Sequence, residues 1–250
     1  MLDAALQDAL TRAAASPRLL VTSDFDGTLS PIVDNPGDAR PLPAAAAALE
    51  ALAALPDTTA ALISGRALAV LRELSGASAA VQAIGSHGAE FDTGFAHEID
   101  TTLLAEIVTT LHSIAAGRPG VAVETKPASV ALHVRNASVA DGEAALTLAR
   151  EAARSWDVHL TAGKAVLEFA VIVTDKGEAV DVLRDRSAAT AVVFLGDDVT
   201  DEKAFRRMRD GDIGVKVGPG DSLAAFRVDS PEDVASVLAY LVDERRRKLA

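Results

Sequence analysis

Leu19-Leu20-Val21-Thr22-Ser23-Asp24-Phe25-Asp26-Gly27-Thr28 is the stretch that decides the fold. Five residues of β character run directly into two carboxylates, a glycine and a hydroxyl. A short buried strand that ends in polar residues, with helices alternating along the chain, is the repeating unit of a parallel α/β sheet. The same unit recurs outward from this point. A loop rich in Pro, Gly and Asp covers 31–43, and the Ala-rich run 44–55 predicts a helix because Ala has the highest helix propensity. Residues 59–63 read as a second strand ending at Ser64-Gly65-Arg66, 68–74 as a helix, and 80–84 as a third strand running into Gly85. After Asp175-Lys176-Gly177 the alternation resumes. A helix is predicted over 178–186, a strand over 191–195 ending at Gly196-Asp197-Asp198, a short strand over 213–217, and a last helix from Pro231 onward. The fold class is α/β, a doubly wound parallel (Rossmann-like) sheet. Ligands of such sheets gather at the carboxyl ends of the strands, where these polar clusters fall.

Between these two parts the pattern changes. A helix over 103–115 precedes strands over 121–124 and 130–135. A helix over 140–154 then precedes strands over 158–161 and 165–173, with a tight turn expected at Ala162-Gly163. The twofold helix–strand–strand order predicts a small inserted α+β domain with its helices on one face of its sheet. The expected division is a discontinuous core domain, 1–94 and 174–250, interrupted by an insert at 95–173.

Composition narrows the function. The 250 residues are 49% hydrophobic and 24% charged, as in a soluble globular protein. Cys is absent, which excludes a disulfide framework, a thiolate metal site and a cysteine nucleophile. A net charge of -12 argues against a broad basic surface for nucleic acid or anionic membrane. An anionic substrate must then be drawn in locally, by a metal or a few placed cations. The opening residues read as a short surface helix, not a signal peptide, and no apolar run reaches the ~18 residues of a spanning helix. The cytoplasm is the expected compartment, and no obligate protein partner is evident.

Two carboxylates spaced as in Asp24 and Asp26 can divide the work of phosphoryl transfer. The first can attack phosphorus, and the second can protonate the leaving alkoxide and later activate water. Gly27 permits the turn, and Thr28 offers a hydroxyl to a phosphate oxygen. The acidic string Gly196-Asp197-Asp198-Val199-Thr200-Asp201-Glu202 repels itself unless a cation is present. Mg2+ favours one or two carboxylates with phosphate oxygens and water, so Asp24, Asp197 and Asp26 through its backbone carbonyl form the expected metal set. Ser64, Gly65 and Arg66 can hold phosphate at a helix start. Lys176 can neutralise both nucleophile and phosphate.

Together these residues resemble the haloacid dehalogenase-like phosphatases, whose four motifs correspond here to Asp24–Thr28, Ser64, Lys176 and Gly196-Asp197-Asp198. Within that superfamily the chain resembles the trehalose-6-phosphate phosphatases. The further strings that carry this likeness are Gly85-Ser86-His87-Gly88-Ala89-Glu90, Glu124-Thr125-Lys126, Ser129, His133, Arg135 and Gly163-Lys164 with Glu168. The resemblance implies a small-molecule sugar phosphate as substrate and Mg2+ as cofactor. It also implies an aspartyl-phosphate intermediate and an insert acting as a cap. His87 falls among its substrate-binding residues, and Glu124, Lys126 and Glu168 would bond the distal glucose. One departure stands out. That family usually has a basic residue and then proline after the cap glutamate, whereas Ala170 and Val171 follow Phe169 here. A phosphatase of another sugar or glycosyl-glycerate phosphate is therefore the alternative enzyme. A phosphoaspartate signalling module is the alternative from another class, although it needs about half this length and lacks an acid at position 26.

Overall fold

The computed structural model describes residues 2–95, 97–163 and 165–250, and the chain divides into two compact units, Met1–Gly94 with Thr174–Ala250, and Phe95–Val173. In chain order the first unit begins α1 (Ala4–Ala14), β1 (Leu19–Ser23), α2 (Pro43–Ala53), β2 (Thr58–Ile63), α3 (Leu68–Ser75), β3 (Gln82–Gly85) and the two-residue strand β4 (Glu90–Phe91), and the two-residue strand β5 (Gly94–Phe95) falls at the boundary. The second unit follows as α4 (Thr101–Ala115), β6 (Ala122–Thr125), β7 (Ser129–His133), α5 (Val139–Ala152), β8 (His159–Gly163) and β9 (Val166–Ala170). The first unit is completed by α6 (Lys176–Ser187), β10 (Ala191–Gly196), α7 (Glu202–Arg206), β11 (Ile213–Val217), β12 (Phe226–Val228) and α8 (Pro231–Leu249).

The large sheet has the order β12-β11-β10-β1-β2-β3-β4-β5. Its strands are parallel from β12 to β3, and β4 runs antiparallel to β3. Every residue of β1, β10 and β11 is buried. Both faces are therefore covered, which is why these strands read as continuous apolar runs instead of alternating ones. On one face Leu6 and Leu10 of α1, Leu49 and Leu52 of α2, and Leu238 and Leu241 of α8 share a core with Val21 and Val193. From β1 the chain steps outward through β2 and β3, and from β10 it steps the other way through β11 and β12. Strand order thus reverses between β1 and β10, the place where open α/β sheets bind ligands. Asp24 leaves β1 and Asp197 leaves β10 at that point.

Arg245 of α8 is a structural residue that composition does not announce. It is almost fully buried, and its guanidinium donates to the carbonyls of Ala14 (2.9 Å) and Asp57 (2.8 Å) and to Thr58 Oγ1 (3.0 Å). Five fixed donors suit a place where several carbonyls converge. The residue ties together the approaches to β1 and β2.

The second unit is an antiparallel sheet of order β6-β7-β9-β8. Alternation sorts its two faces. Val130, Leu132, Leu167 and Phe169 pack with Ile107 and Leu111 of α4 and Ala145 and Ala149 of α5, and Trp156 meets Phe169 edge to face at 5.8 Å. Glu124, Ala131, Glu168 and Thr161 lie in register across the opposite face.

One expected turn is displaced. Ala162 and Gly163 belong to β8, and Gly163 pairs with Val166, so the reversal comes after Gly163, and Ala165 takes the positive φ of 61°. Preference for Gly in turns pointed to 162–163, but the face-matching of Leu167 and Phe169 sets the register. Lys164 lies outside the described residues. The short elements β4, β5, β12 and α7 carry too little periodicity to be read in advance.

Candidate active site

Asp24 follows the central strand and is held by its own backbone, whose N–H donates to the Leu195 carbonyl of β10 at 2.9 Å. Its carboxylate is buried. Lys176, the first residue of α6 and only 2% exposed, places its Nζ 2.8 Å from Asp24 and 2.7 Å from Asp201. The N-terminus of α6 is closed by Asp175, which accepts from the Glu178 N–H, and this fixes where Lys176 begins the helix. Gly27 is at φ +82°, and a Cβ there would come within 2.2 Å of Asp197 Oδ2. Glycine is thus required by both the turn and the close approach of the two loops.

Carboxylate oxygens of Asp24, Asp197 and Asp201 lie within 4.8 Å of one another. The group mixes three acids with one ammonium, and the electrostatics reflect that. Burial pushes Asp24 up to about 6, with Lys176 pulling the other way, and it raises Asp201 to about 6, aided by the charge of Asp24. Asp197 is also raised, by burial and then by Asp201. For Lys176, burial disfavours the charge, but the two acids outweigh it and hold the ammonium charged. Hard anionic oxygens with an excess of negative charge suit a hard divalent cation.

Of the expected metal set, Asp24 and Asp197 are brought together, and Asp201 joins them. The Asp26 carboxylate turns elsewhere. It receives Arg66 Nε at 2.7 Å and a terminal nitrogen at 2.6 Å, a bidentate pair. The expectation for Asp26 as a ligand rested on its backbone carbonyl, which this pairing does not involve. Thr28 is buried and donates to Asp197 Oδ1 at 3.3 Å. Ser64 is buried after β2, and its Oγ accepts the Arg66 N–H at 3.2 Å. Its carbonyl accepts the His87 N–H at 2.9 Å. The His87 ring lies over Gly65, where a Cβ would meet ring atoms at 2.4 Å. Ser86 and His87 both hold positive φ, 49° and 55°, a conformation that costs non-glycine residues energy and is kept only where the surroundings enforce it. Asp24, Asp26, Thr28, Ser64–Arg66, His87, Lys176 and Asp197 therefore all sit in one unit.

Glu124, Lys126 and Glu168 belong to the other unit and are described there alone. Glu168 accepts Lys126 Nζ at 2.9 Å and Ser129 Oγ at 2.7 Å, and Glu124 pairs with His133 at 2.8 Å. Ala170 ends β9 in register with Ser129 and His159. Two residues of the first unit are not singled out by the sequence: Asp201, which reads there only as one carboxylate of the acidic string, and Lys216. Asp201 is distinguished from its neighbours only by being fully buried, while Val199 is exposed. Lys216 is buried in β11 and donates to the backbone carbonyl of Asp197.

Comparison with known proteins agrees with this geometry. Residues 22–233 match the family model described as trehalose-phosphatase. The trehalose-phosphate phosphatase of Mycolicibacterium paratuberculosis is 37% identical over 246 residues, covering 90% of this chain and 62% of that protein. The chain thus spans about three fifths of the length of that relative. The trehalose-6-phosphate phosphatase of Escherichia coli is 34% identical over 233 residues, covering 90% of this chain and 87% of its own. A solved trehalose-6-phosphate phosphatase of Aspergillus fumigatus superposes with a TM-score of 0.72 at 27% identity, over 97% of this chain and 98% of that one. With a family model that takes in both Asp24 and the whole acidic string, the chain belongs to the trehalose-phosphatase family.

Proposed function

We propose that this chain is a Mg2+-dependent phosphatase that hydrolyses trehalose 6-phosphate to trehalose and inorganic phosphate through an aspartyl phosphate on Asp24. The observation that carries the reading is the buried Asp24 carboxylate, 2.8 Å from Lys176, at the reversal of strand order. The carboxylates of Asp24, Asp197 and Asp201 are the groups that would hold Mg2+. Bound there, the ion would offset their repulsion and the negative charge of the phosphate.

An Asp24 oxygen attacks phosphorus, and the bond from phosphorus to the sugar oxygen breaks. Asp26 gives its proton to that oxygen as trehalose departs. Asp26 then takes a proton from water, the water oxygen bonds to phosphorus, and the bond to Asp24 breaks to release phosphate. Lys176 stabilises the charge on Asp24 and on the transferring group. The hydroxyls of Ser64 and Thr28 and the N–H groups near Gly65 are phosphate donors. Arg66 holds both oxygens of Asp26, so that pair has to open before Asp26 can serve the leaving oxygen, and the freed guanidinium is then a phosphate ligand. Residues 1–94 with 174–250 are the hydrolase domain. Residues 95–173 are the cap domain that reads the sugar, with Glu124, Lys126 and Glu168 as the partners of its hydroxyls, and His87 of the hydrolase domain is a further substrate-binding residue. Among the described residues no helix is long and apolar enough to cross a membrane.

The raised acids predict a pH signature. The folded, metal-free protein keeps protons on Asp24 and Asp201 up to about pH 6, whereas the unfolded chain releases them near about pH 4. Their contribution to stability is therefore greatest below about pH 4 and falls as pH rises through about 6. Mg2+ binds the deprotonated forms, so it should raise the melting temperature more at about pH 7.5 than at about pH 5. An equal rise at both would contradict the assignment of the acids as ligands.

Substrate is tested by phosphate release from trehalose 6-phosphate, glucose 6-phosphate and a glucosyl-glycerate phosphate, each with and without Mg2+. Trehalose 6-phosphate with Mg2+ is expected to be fastest by at least about tenfold in kcat/KM, as for a site that hydrogen-bonds the whole sugar. Preference for another sugar phosphate would transfer the activity to that substrate, the alternative that the departure at Ala170 and Val171 leaves open.

A further inference from the structure

Besides Lys176, one other lysine is buried among the described residues, Lys216, at 5% exposed. It lies in β11, all of whose residues are buried, and is in register with Gly196, the last residue of β10. Its ammonium donates to the main-chain carbonyl of the next residue along, Asp197. An ammonium buried in a parallel strand is costly unless acceptors meet it, and an apolar residue would suit such a strand better. What Lys216 supplies is direction. At Asp197 the chain has just left the sheet, so the ladder does not orient its peptide. Yet the Asp197 carboxylate must reach the cluster with Asp24 and Asp201 while clearing Gly27, where space for a Cβ is already lacking.

We propose that Lys216 is a positioning residue for Asp197: by fixing the Asp197 carbonyl it aims the carboxylate into the acidic cluster and so sets affinity for the divalent cation. This rests on the reading of that cluster as a metal site, and the experiment separates the two. Mg2+ is titrated by calorimetry into the full chain and into Lys216→Met, which keeps the aliphatic stem and removes the donor. Binding should weaken by about 10- to 100-fold, as is typical when a group that orients a metal ligand is lost. At saturating Mg2+, kcat should recover to within a few-fold of the parent. Melting with and without Mg2+ supplies a second readout. A purely structural lysine would lower both temperatures and leave the increment due to Mg2+ unchanged, whereas a positioning lysine shrinks that increment. If Lys216→Met does not fold, Lys216→Gln is read in the same way. A variant that binds Mg2+ within about twofold of the parent, far short of the usual loss, overturns the proposal while leaving the metal site standing. A parent that binds no Mg2+ overturns both.

Discussion

Replacing Asp24 by Asn is expected to cut phosphate release to below about 10⁻⁴ of the parent rate, the scale on which loss of a nucleophile is felt in enzymes that work through a covalent intermediate. The amide keeps the size of the side chain but has no electron pair of carboxylate strength to give to phosphorus. The fold should survive. Asp24 is buried at an energetic cost that raises it to about 6, so removing its charge takes away a strain as well as a partner for Lys176. Lys176 keeps Asp201 at 2.7 Å. Circular dichroism and melting of Asp24→Asn should therefore match or exceed the metal-free parent near neutral pH, while activity is gone. A variant that retains a tenth of the activity would remove Asp24 from the role of nucleophile.

Lys176→Met carries the second large effect, and here stability and activity should fall together. Its ammonium lies between Asp24 and Asp201, both buried. Taking one partner from a buried ionic group strands the others without compensation, at a cost of about 3–5 kcal/mol. In the absence of metal the two acids can relieve this only by taking up protons, so the loss should be larger at neutral pH than at mildly acidic pH. The missing charge also no longer stabilises the transferring phosphoryl group, which should lower kcat by about 10²–10³. Melting curves at two pH values and phosphate-release rates at saturating Mg2+ check both parts. Parent-like melting would show that the acids do not depend on this cation.

The parts of this molecule that sequence makes legible are those with local causes. A strand that ends in Asp24-Phe25-Asp26-Gly27-Thr28 announces itself, because burial demands the apolar run and the turn demands Gly27. Lys176 is legible as a residue just ahead of a helix expected from 178, and the structure begins that helix at Lys176 itself, behind Asp175 as its cap. The face of the small sheet bearing Glu124 and Glu168 follows from alternation along β6 and β9. What could not be read depends on contacts distant in sequence. Asp197, Asp198 and Asp201 look alike along the chain, and only the tight turn after β10 buries Asp201 against Lys176 while leaving Val199 exposed. The engagement of Arg66 with Asp26 joins residues 40 positions apart through two strand ends. Lys216 left a faint trace, one lysine in the run Ile213-Gly214-Val215-Lys216-Val217, which a solvent-facing edge strand would explain equally well until β11 is seen paired on both sides.

The central claim is that phosphate passes through a covalent bond to Asp24. The direct measurement is chemical trapping: the protein is mixed with trehalose 6-phosphate and Mg2+, quenched within a turnover, reduced with borohydride and digested for mass spectrometry. An acyl phosphate reduces to an alcohol, so residue 24 should be recovered as homoserine in the parent and not in a substrate-free control. Steady release of phosphate with residue 24 always recovered as unmodified Asp, or with the reduced residue elsewhere in the chain, would contradict the account.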